Sequence, residues 1–249
     1  MRHPDLSSPL GGILFDLDGT LLEVEMNNFI PAYIAGLGRH FGDLVEPEPF
    51  ARTMKAAIQI LLSVTDETIT KEAQFLAVLE NHLGIPGALF SEHLQAFCDD
   101  GLGALAPMVR PVPLARSILE YCFDGGLKVA VATNPVFPRA VIEARLRWAG
   151  LADLPFDLVS SYENSRFCKP QGGYFLEVAA VLGLAPAGCV MVGNDTSHDL
   201  AARTVGIPTF LVDTFLVDRC QGAFVTDFRG GHDDLLRWLG DFVPNRRTN

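Results

Sequence analysis

The sequence predicts an α/β protein with a doubly wound parallel sheet and an inserted α-helical segment. After residue 107, short apolar runs alternate with segments of helical periodicity. Strands that are apolar almost throughout are typical of a parallel sheet covered on both faces. A similar strand stands alone at residues 11–15. We therefore predict an α/β core of residues 1–22 and 108–249, and a helical insertion of residues 23–107.

The first strand ends directly in acidic residues. Residues 11–15, GGILF, form a short apolar run that leads straight into Asp16 and Asp18. Gly19 then marks a turn. Carboxylates at the end of a buried apolar run conflict with their surroundings, and such conflicts often mark functional positions.

The predicted insertion shows helical periodicity along its whole length. Apolar residues recur three and four positions apart, as at Phe29, Tyr33 and Leu37, which predicts roughly four helices and no strand. Prolines favour the first turn of a helix. We accordingly expect helix starts at Pro31, Pro47, Pro49 and Pro86.

The remaining core elements alternate along the chain. Strands are predicted over residues 127–132, 157–160, 189–192, 208–212 and 223–225. Helices are predicted over residues 112–121, 139–148, 174–182, 198–204 and 233–239. Ligands of open parallel sheets bind beyond the carboxyl ends of the strands, so the residues that follow each strand are the candidates for function.

Composition excludes several classes of function. The chain has 30 acidic and 19 basic residues and a net charge of −11, so we expect no nucleic-acid partner and no anionic membrane partner. No run approaches the roughly 18 apolar residues of a membrane span, and residues 1–10 lack the apolar core of a signal peptide. The five cysteines are widely spaced, which predicts neither disulfides nor a zinc site. A cytoplasmic protein is expected.

Polar side chains follow four of the predicted strands. They are Asp16 and Asp18 after the first, Thr133 and Asn134 after the second, Lys169 beyond the third, and Asn194, Asp195 and Asp199 after the fourth. Each alone has an ordinary structural explanation, since an aspartate after a strand often caps a helix. Their shared placement at one edge of the sheet is the specific observation.

The expected closeness of three of these carboxylates predicts a site for a divalent cation. Asp16, Asp195 and Asp199 would repel one another and raise one another's pKa values if they lay close together. A few hard oxygen ligands suit Mg²⁺ completed by water and a phosphate oxygen. Lys169 would add a positive charge for Asp16 or for an incoming anion, and Thr133 could hold further anionic oxygens.

Four segments resemble the haloacid dehalogenase superfamily, in its capped phosphatase branch. They are residues 15–21 (FDLDGTL), 132–134 (ATN), 168–170 (CKP) and 193–199 (GNDTSHD). The first segment is highly specific for this family. The other three are weak alone and support the resemblance because they occur in the family's order. The resemblance implies a Rossmann-like core, and the helical insertion falls where that family places its α-helical cap.

The resemblance implies a two-step phosphoryl transfer. Asp16 would attack phosphorus and form an aspartyl phosphate. Asp18 would protonate the leaving alkoxide and then activate the water that hydrolyses the intermediate. Thr133 and Asn134 would hold phosphate oxygens, and Lys169 would neutralise the cluster of nucleophile and phosphate.

The resemblance also implies a Mg²⁺ cofactor held by Asp16, the main-chain carbonyl of Asp18, and Asp195, with Asp199 and Asn194 beside these ligands. Many members read Gly-Asp where residues 193–195 here read Gly-Asn-Asp, so the acid that contacts the metal is left open. We expect His198 to point away from this centre.

A small phosphorylated metabolite is the expected substrate, because residues 22–28 and the helical insertion could close over a small pocket and exclude water. Candidate contacts from this lid are Glu25, Asn27, Asn28 and Lys55. The substrate itself, and the choice between monomer and homodimer, stay open.

Other functions on the same scaffold also stay open. Phosphonate hydrolysis would need a Schiff-base lysine in the helical insertion, where only Lys55 and Lys71 occur. A phosphomutase would differ mainly in how it retains its intermediate. A haloacid dehalogenase has no need of Asp18, and a non-catalytic phosphate-binding scaffold would be expected to have lost some of the acids.

Overall fold

The computed structural model describes residues 9–64 and 66–242 and contains eight strands. They are β1 Gly12–Phe15, β2 Leu22–Val24, β3 Val109–Pro111, β4 Lys128–Val131, β5 Leu158–Val159, β6 Cys189–Gly193, β7 Thr209–Val212 and β8 Phe228–Gly230. Six of them form one parallel sheet in the order β5-β4-β1-β6-β7-β8. The first strand of the chain thus lies at the centre, which confirms the doubly wound sheet.

The described residues contain eight α-helices. They are α1 Met26–Arg39, α2 Pro47–Ser63, α3 Lys71–Leu83, α4 Gly87–Ala96, α5 Ala115–Asp124, α6 Arg139–Trp148, α7 Gly172–Leu182 and α8 His232–Phe242. The first four lie together in sequence between β2 and β3, and two short turns, a π-helix and a 3-10 helix, follow them. This is the helical content expected for the inserted segment.

Both faces of the sheet are covered because its strands alternate their side chains between two apolar layers. From β1, Ile13 and Phe15 join the layer that includes helices α5, α6 and α8. Leu14 points the other way and packs in the layer of Tyr174 and Phe175 from α7. A strand buried on both faces shows a continuous apolar run in sequence, which is the pattern from which β1 was predicted.

Two expectations for the helical insertion are wrong. β2 and β3 pair antiparallel at its two ends, so Glu23 and Val24 belong to a strand that was not expected. Three residues are too few to show an alternating pattern. Pro31 lies inside α1 and not at its start, because Glu25 caps the helix by accepting a hydrogen bond from the Asn27 N–H at 3.4 Å.

One expectation near the end of the core is also wrong. The last strand is β8 and not residues 223–225. The Asp227 side chain accepts a hydrogen bond from the Thr209 N–H at 2.9 Å. This side chain therefore occupies the start of the β7 edge, and main-chain pairing with β8 begins only after it. The short helix expected over residues 198–204 is present as a 3-10 helix, Leu200–Val205.

None of the helices within residues 9–64 and 66–242 combines the length and the apolar character needed to cross a membrane. The expectation for residues 1–10 concerns positions outside the described ranges, apart from Pro9 and Leu10.

Candidate active site

A cavity of about 650 Å³ lies beyond the carboxyl ends of β1, β4 and β6. All the strand-end residues singled out in the sequence line it: Asp16, Asp18, Thr133, Asn134, Lys169, Asn194, Asp195 and Asp199. These residues are called the floor of the cavity below. The parallel sheet therefore brings together side chains that are up to 183 positions apart in the sequence.

Lys169 joins two carboxylates at the centre of the floor. Its Nζ donates to Asp16 Oδ1 at 2.7 Å and to Asp199 Oδ1 at 2.6 Å, and the lysine is only 2% exposed. Burial disfavours its charged form, but the two carboxylates outweigh this cost and raise the pKa of Lys169. Burial raises the pKa of Asp199, and Lys169 opposes that shift.

Asp199 is held by its own turn as well as by Lys169. Its Oδ2 accepts a hydrogen bond from the Asp195 N–H at 2.9 Å. The carboxylate also fills the space beside Gly193, where an added Cβ would lie 2.2 Å from Asp199 Oδ2. A glycine at the end of β6 is therefore required for Asp199 to reach Lys169.

Asp195 has partners on both oxygens. Oδ1 accepts from the Ser197 and His198 main-chain N–H groups, each at 2.9 Å, and Oδ2 accepts from Arg219 Nε at 2.5 Å. These hydrogen bonds lower the pKa of Asp195 even though burial opposes the shift. The carboxylate thus caps its own turn, which is the ordinary structural role of an aspartate after a strand.

Asn194 occupies the position directly after β6. Its Nδ2 donates to the Phe215 carbonyl at 2.6 Å, which leaves Oδ1 as its ligating atom. Gly19, with φ +80°, approaches so closely that a Cβ there would lie 2.1 Å from Asn194 Nδ2. The turn after β1 and the turn after β6 are thereby packed against each other.

The donor atoms of the floor fit a hard divalent cation. They are carboxylate oxygens of Asp16 and Asp195, the Asn194 amide oxygen and main-chain carbonyls such as that of Asp18. Across the described part of the chain, no three or more His, Cys, Asp or Glu side chains are arranged to hold a metal ion by themselves. A cation here would be completed by carbonyl, amide, water or phosphate oxygens, as is usual for Mg²⁺. Its ligands stay a prediction.

The phosphate-binding candidates are tied to the lysine loop. Asn134 Oδ1 accepts from the Lys169 N–H at 2.8 Å. The Tyr174 hydroxyl donates to the Thr133 carbonyl at 2.7 Å. These two bonds fix the end of β4 relative to Lys169, so Thr133, Asn134 and the lysine face the cavity as one unit.

Arg145 is a site residue that the sequence analysis did not find. It is fully buried in α6, and its Nη2 contacts Asp18 Oδ1. The guanidinium lies 5.0 Å from the Phe29 ring centroid and 5.7 Å from that of Phe137. Burial lowers the pKa of Arg145 to about 10, and the charge of Asp16 opposes the shift, so the group stays protonated at neutral pH.

His198 and Arg219 also line the cavity. The expectation that His198 points away is wrong, because it lies on a turn before the 3-10 helix and not on an α-helix. Its Nδ1 is 3.6 Å from Asp195 Oδ2, and burial lowers its pKa. Arg219 comes from an irregular loop after β7, where the sequence shows no periodicity that could have indicated it.

The lid candidates divide into two groups. Glu25 and Asn27 line the cavity, whereas Asn28 and Lys55 do not. Lys71 is buried elsewhere in α3 and does not line the cavity either. Neither lysine of the helical insertion therefore reaches the floor, which removes the structural support for a Schiff-base lysine.

Comparison with known proteins gives one family. The model of the haloacid dehalogenase-like hydrolases matches residues 10–206. Ribulose-1,5-bisphosphate 5-phosphatase of Halopiger xanaduensis is 29% identical over 81% of this chain and 84% of its own length. Fructose-1-phosphate phosphatase of Escherichia coli is 28% identical over 79% of this chain and 93% of its own. Among solved structures, a HAD phosphatase from Thermococcus onnurineus aligns with a TM-score of 0.58 and 21% identity, over 94% of this chain and 100% of that one; the likeness shows a shared fold.

Gly193→Ala is expected to destabilise the protein, because the new Cβ must displace the Asp199 carboxylate. Forcing a methyl group into a filled site costs ~1–3 kcal/mol in free energy of unfolding, which urea denaturation would measure. Gly103→Ala is the matched control, since an added Cβ there meets no atom within 4 Å. Equal stabilities of the two variants would contradict the packing described here.

Lys169→Met is expected to lower the free energy of unfolding at pH 7 by ~3–5 kcal/mol, because two buried carboxylates lose their counter-charge. Without the lysine, burial and the charge of Asp16 raise the pKa of Asp199 further above its unfolded value, so the deficit relative to wild type shrinks as the pH falls from 7 towards 5. Urea denaturation at both pH values measures this. The control is Lys128→Met, which removes a half-exposed lysine paired with Asp157 at 2.7 Å and should cost at most ~1 kcal/mol. A deficit that did not depend on pH would speak against the charge cluster.

Proposed function

This chain belongs to the haloacid dehalogenase-like hydrolases, and on that premise we propose that it is a Mg²⁺-dependent phosphatase of a small phosphorylated metabolite, acting through an aspartyl phosphate on Asp16. Curated relatives that are named phosphatases support a phosphatase acting on phosphate esters. The observation that carries the mechanism is the buried Lys169 between Asp16 and Asp199.

Asp16 is the proposed nucleophile. Lys169 donates to its Oδ1, which orients the carboxylate and leaves Oδ2 to attack phosphorus. The bond from Oδ2 to phosphorus forms as the bond to the ester oxygen breaks, and the product is an aspartyl phosphate and an alcohol. Thr133 and the main-chain N–H of Asn134 would hold the phosphate oxygens during this step.

The charges of the floor explain why a cation is part of the proposal. Four carboxylates face the cavity there, and the three cationic side chains beside them, Lys169, Arg219 and Arg145, are already paired with them. A phosphate dianion would meet too much negative charge without further neutralisation. Asp16, the Asp18 carbonyl and either Asn194 or Asp195 would hold Mg²⁺, and the bound ion would supply positive charge that offsets the negative charge of the nucleophile and the phosphate.

Asp18 is the proposed acid and base. Its carboxyl proton passes to the leaving oxygen, and the carboxylate then takes a proton from water as that water attacks phosphorus. Hydrolysis releases phosphate and restores Asp16. Arg145 touches Asp18 but does not line the cavity, so it acts through Asp18 as a positioning residue.

The proposed function is tested with p-nitrophenyl phosphate. Turnover is expected with Mg²⁺, to be lost with EDTA, and to be absent in Asp16→Asn, which keeps the size of the side chain but removes the nucleophile. Wild-type protein quenched in acid during turnover should carry a phosphoryl group that mass spectrometry locates on Asp16. The control is Asp43→Asn, which changes an exposed aspartate outside the cavity and should keep its activity. Undiminished turnover in Asp16→Asn would refute the assignment.

Arg145→Met is expected to lower kcat with little change in KM, because the arginine contacts Asp18 and not the cavity. Asp18→Asn should lower kcat by a factor of ~10²–10⁴. Arg145→Met should lower kcat by a smaller factor. Arg145→Lys keeps the charge and should recover some of the loss. In the Arg145→Met variant, the rate of the first step should fall more for alkyl phosphates than for p-nitrophenyl phosphate, because an alkyl leaving group needs a proton. A rise in KM alone would contradict a positioning role.

A further inference from the structure

We propose that the alcohol part of the substrate carries no second anionic group, and that it is an uncharged or amine-bearing group with an apolar body. This rests on the proposed function and names the substrate class for the same site. The observation is the charge and the composition of the cavity beyond its floor, where the described residues of the helical insertion contribute carboxylates and apolar side chains but no lysine or arginine.

The positive charges near the floor are already engaged. Lys169 binds Asp16 and Asp199, and Arg219 binds Asp195 at 2.5 Å. His198 also faces a carboxylate of the floor, since its Nδ1 lies 3.6 Å from Asp195 Oδ2. A metal cation bound by the floor would interact with the phosphate that is transferred and would not be available to a second anion. A second anion on the substrate would therefore find no free counter-charge at this end among residues 9–64 and 66–242.

The side of the cavity formed by the helical insertion is acidic and apolar. We call it the wall, and its members are Glu23, Val24, Glu25, Met26, Asn27, Ile30, Ile58 and Leu62. Glu23 is partly offset by Arg110, whose Nη1 lies 3.5 Å from Glu23 Oε1, but Arg110 does not line this cavity. Glu25 has no such cation within the described ion pairs.

The core contributes more apolar surface opposite and beside the wall. Its members are Val136, Phe137, Phe215, Leu216 and Val217. Apolar groups thus face the cavity from the turns after β4 and β7 as well as from α1 and α2. An apolar body of the leaving group would be desolvated favourably here, by about 25 cal/mol for each Å² of apolar surface removed from water.

A second phosphate or carboxylate would meet the opposite conditions. It would lose water against apolar side chains without gaining a counter-charge, and Glu25 would repel it. A hydroxyl or an ammonium group could instead bond to Glu25 or Asn27. The inference therefore separates this chain from its Halopiger relative, whose name denotes a bisphosphate substrate.

Three aryl esters of nearly equal size test this with Mg²⁺ present. They are phenyl phosphate, 4-(aminomethyl)phenyl phosphate and 4-carboxyphenyl phosphate. We expect kcat/KM to be similar for the first two, or higher for the amine, and lower by ~10-fold or more for the carboxylate, because like-charge juxtaposition disfavours binding. Each value is compared after correction for the pKa of the phenol that leaves.

Variants of Glu25 test the cause. Glu25→Gln should raise the ratio of kcat/KM for the carboxylate ester over that for phenyl phosphate by several-fold, and Glu25→Lys should raise it by ~10-fold. Glu92→Gln and Glu92→Lys are the matched controls, since Glu92 is an exposed acid on α4 that does not line the cavity. In these controls the ratio should not move.

The outcomes distinguish failure of the substrate-class inference from failure of the proposed phosphatase function. Comparable turnover of all three esters, or a ratio that is the same in the Glu25 and Glu92 variants, would overturn the inference and leave the proposed phosphatase standing. If none of the three esters were hydrolysed, the proposed function would fail, and the inference that depends on it would fail too.

Discussion

The ion pairs of Lys169 with Asp16 and Asp199 are the constraint on which the rest of the site depends. The three side chains come from three distant segments, after β1, after β5 and after β6, and each is at most 8% exposed. Two buried carboxylates this close to each other repel, and one buried lysine alone would be costly, so the three charges are stable only together. Strand order and strand length in the centre of the sheet must therefore bring them to the same depth.

Close approach of the backbone is the second requirement. Gly193 leaves room for the Asp199 carboxylate, and Gly19 leaves room for the Asn194 amide. At Gly19 the backbone also has φ +80°, a conformation that side chains disfavour. The carboxylates can face one cavity because the turns that carry them contain no side chain at these two positions.

The sequence predicted the parts of the molecule whose chemistry is local. β1 was found because a strand buried on both faces is apolar throughout, and the floor because its residues directly follow strands. Arg145 was missed because its partner Asp18 is 127 positions away; the available signal was its place on the buried face of α6 between Val141, Ile142 and Leu146. The β2–β3 pair joins residues at the two ends of the helical insertion, and such long-range pairing produces no periodic pattern in the sequence.

The division between floor and wall explains how one scaffold can serve different substrates. The hydrogen bonds of Lys169, Asp195 and Asp199 all run to residues of the core. Side chains of the wall such as Ile58 and Leu62 take no part in them. A change in the wall can therefore alter which alcohol fits without disturbing the charges that position the nucleophile. Asp18 is linked to the helical insertion through Arg145, which contacts Asp18 and packs against Phe29 and Met26 of α1. Under the proposed function, the acid–base step therefore depends on the placement of the helical insertion.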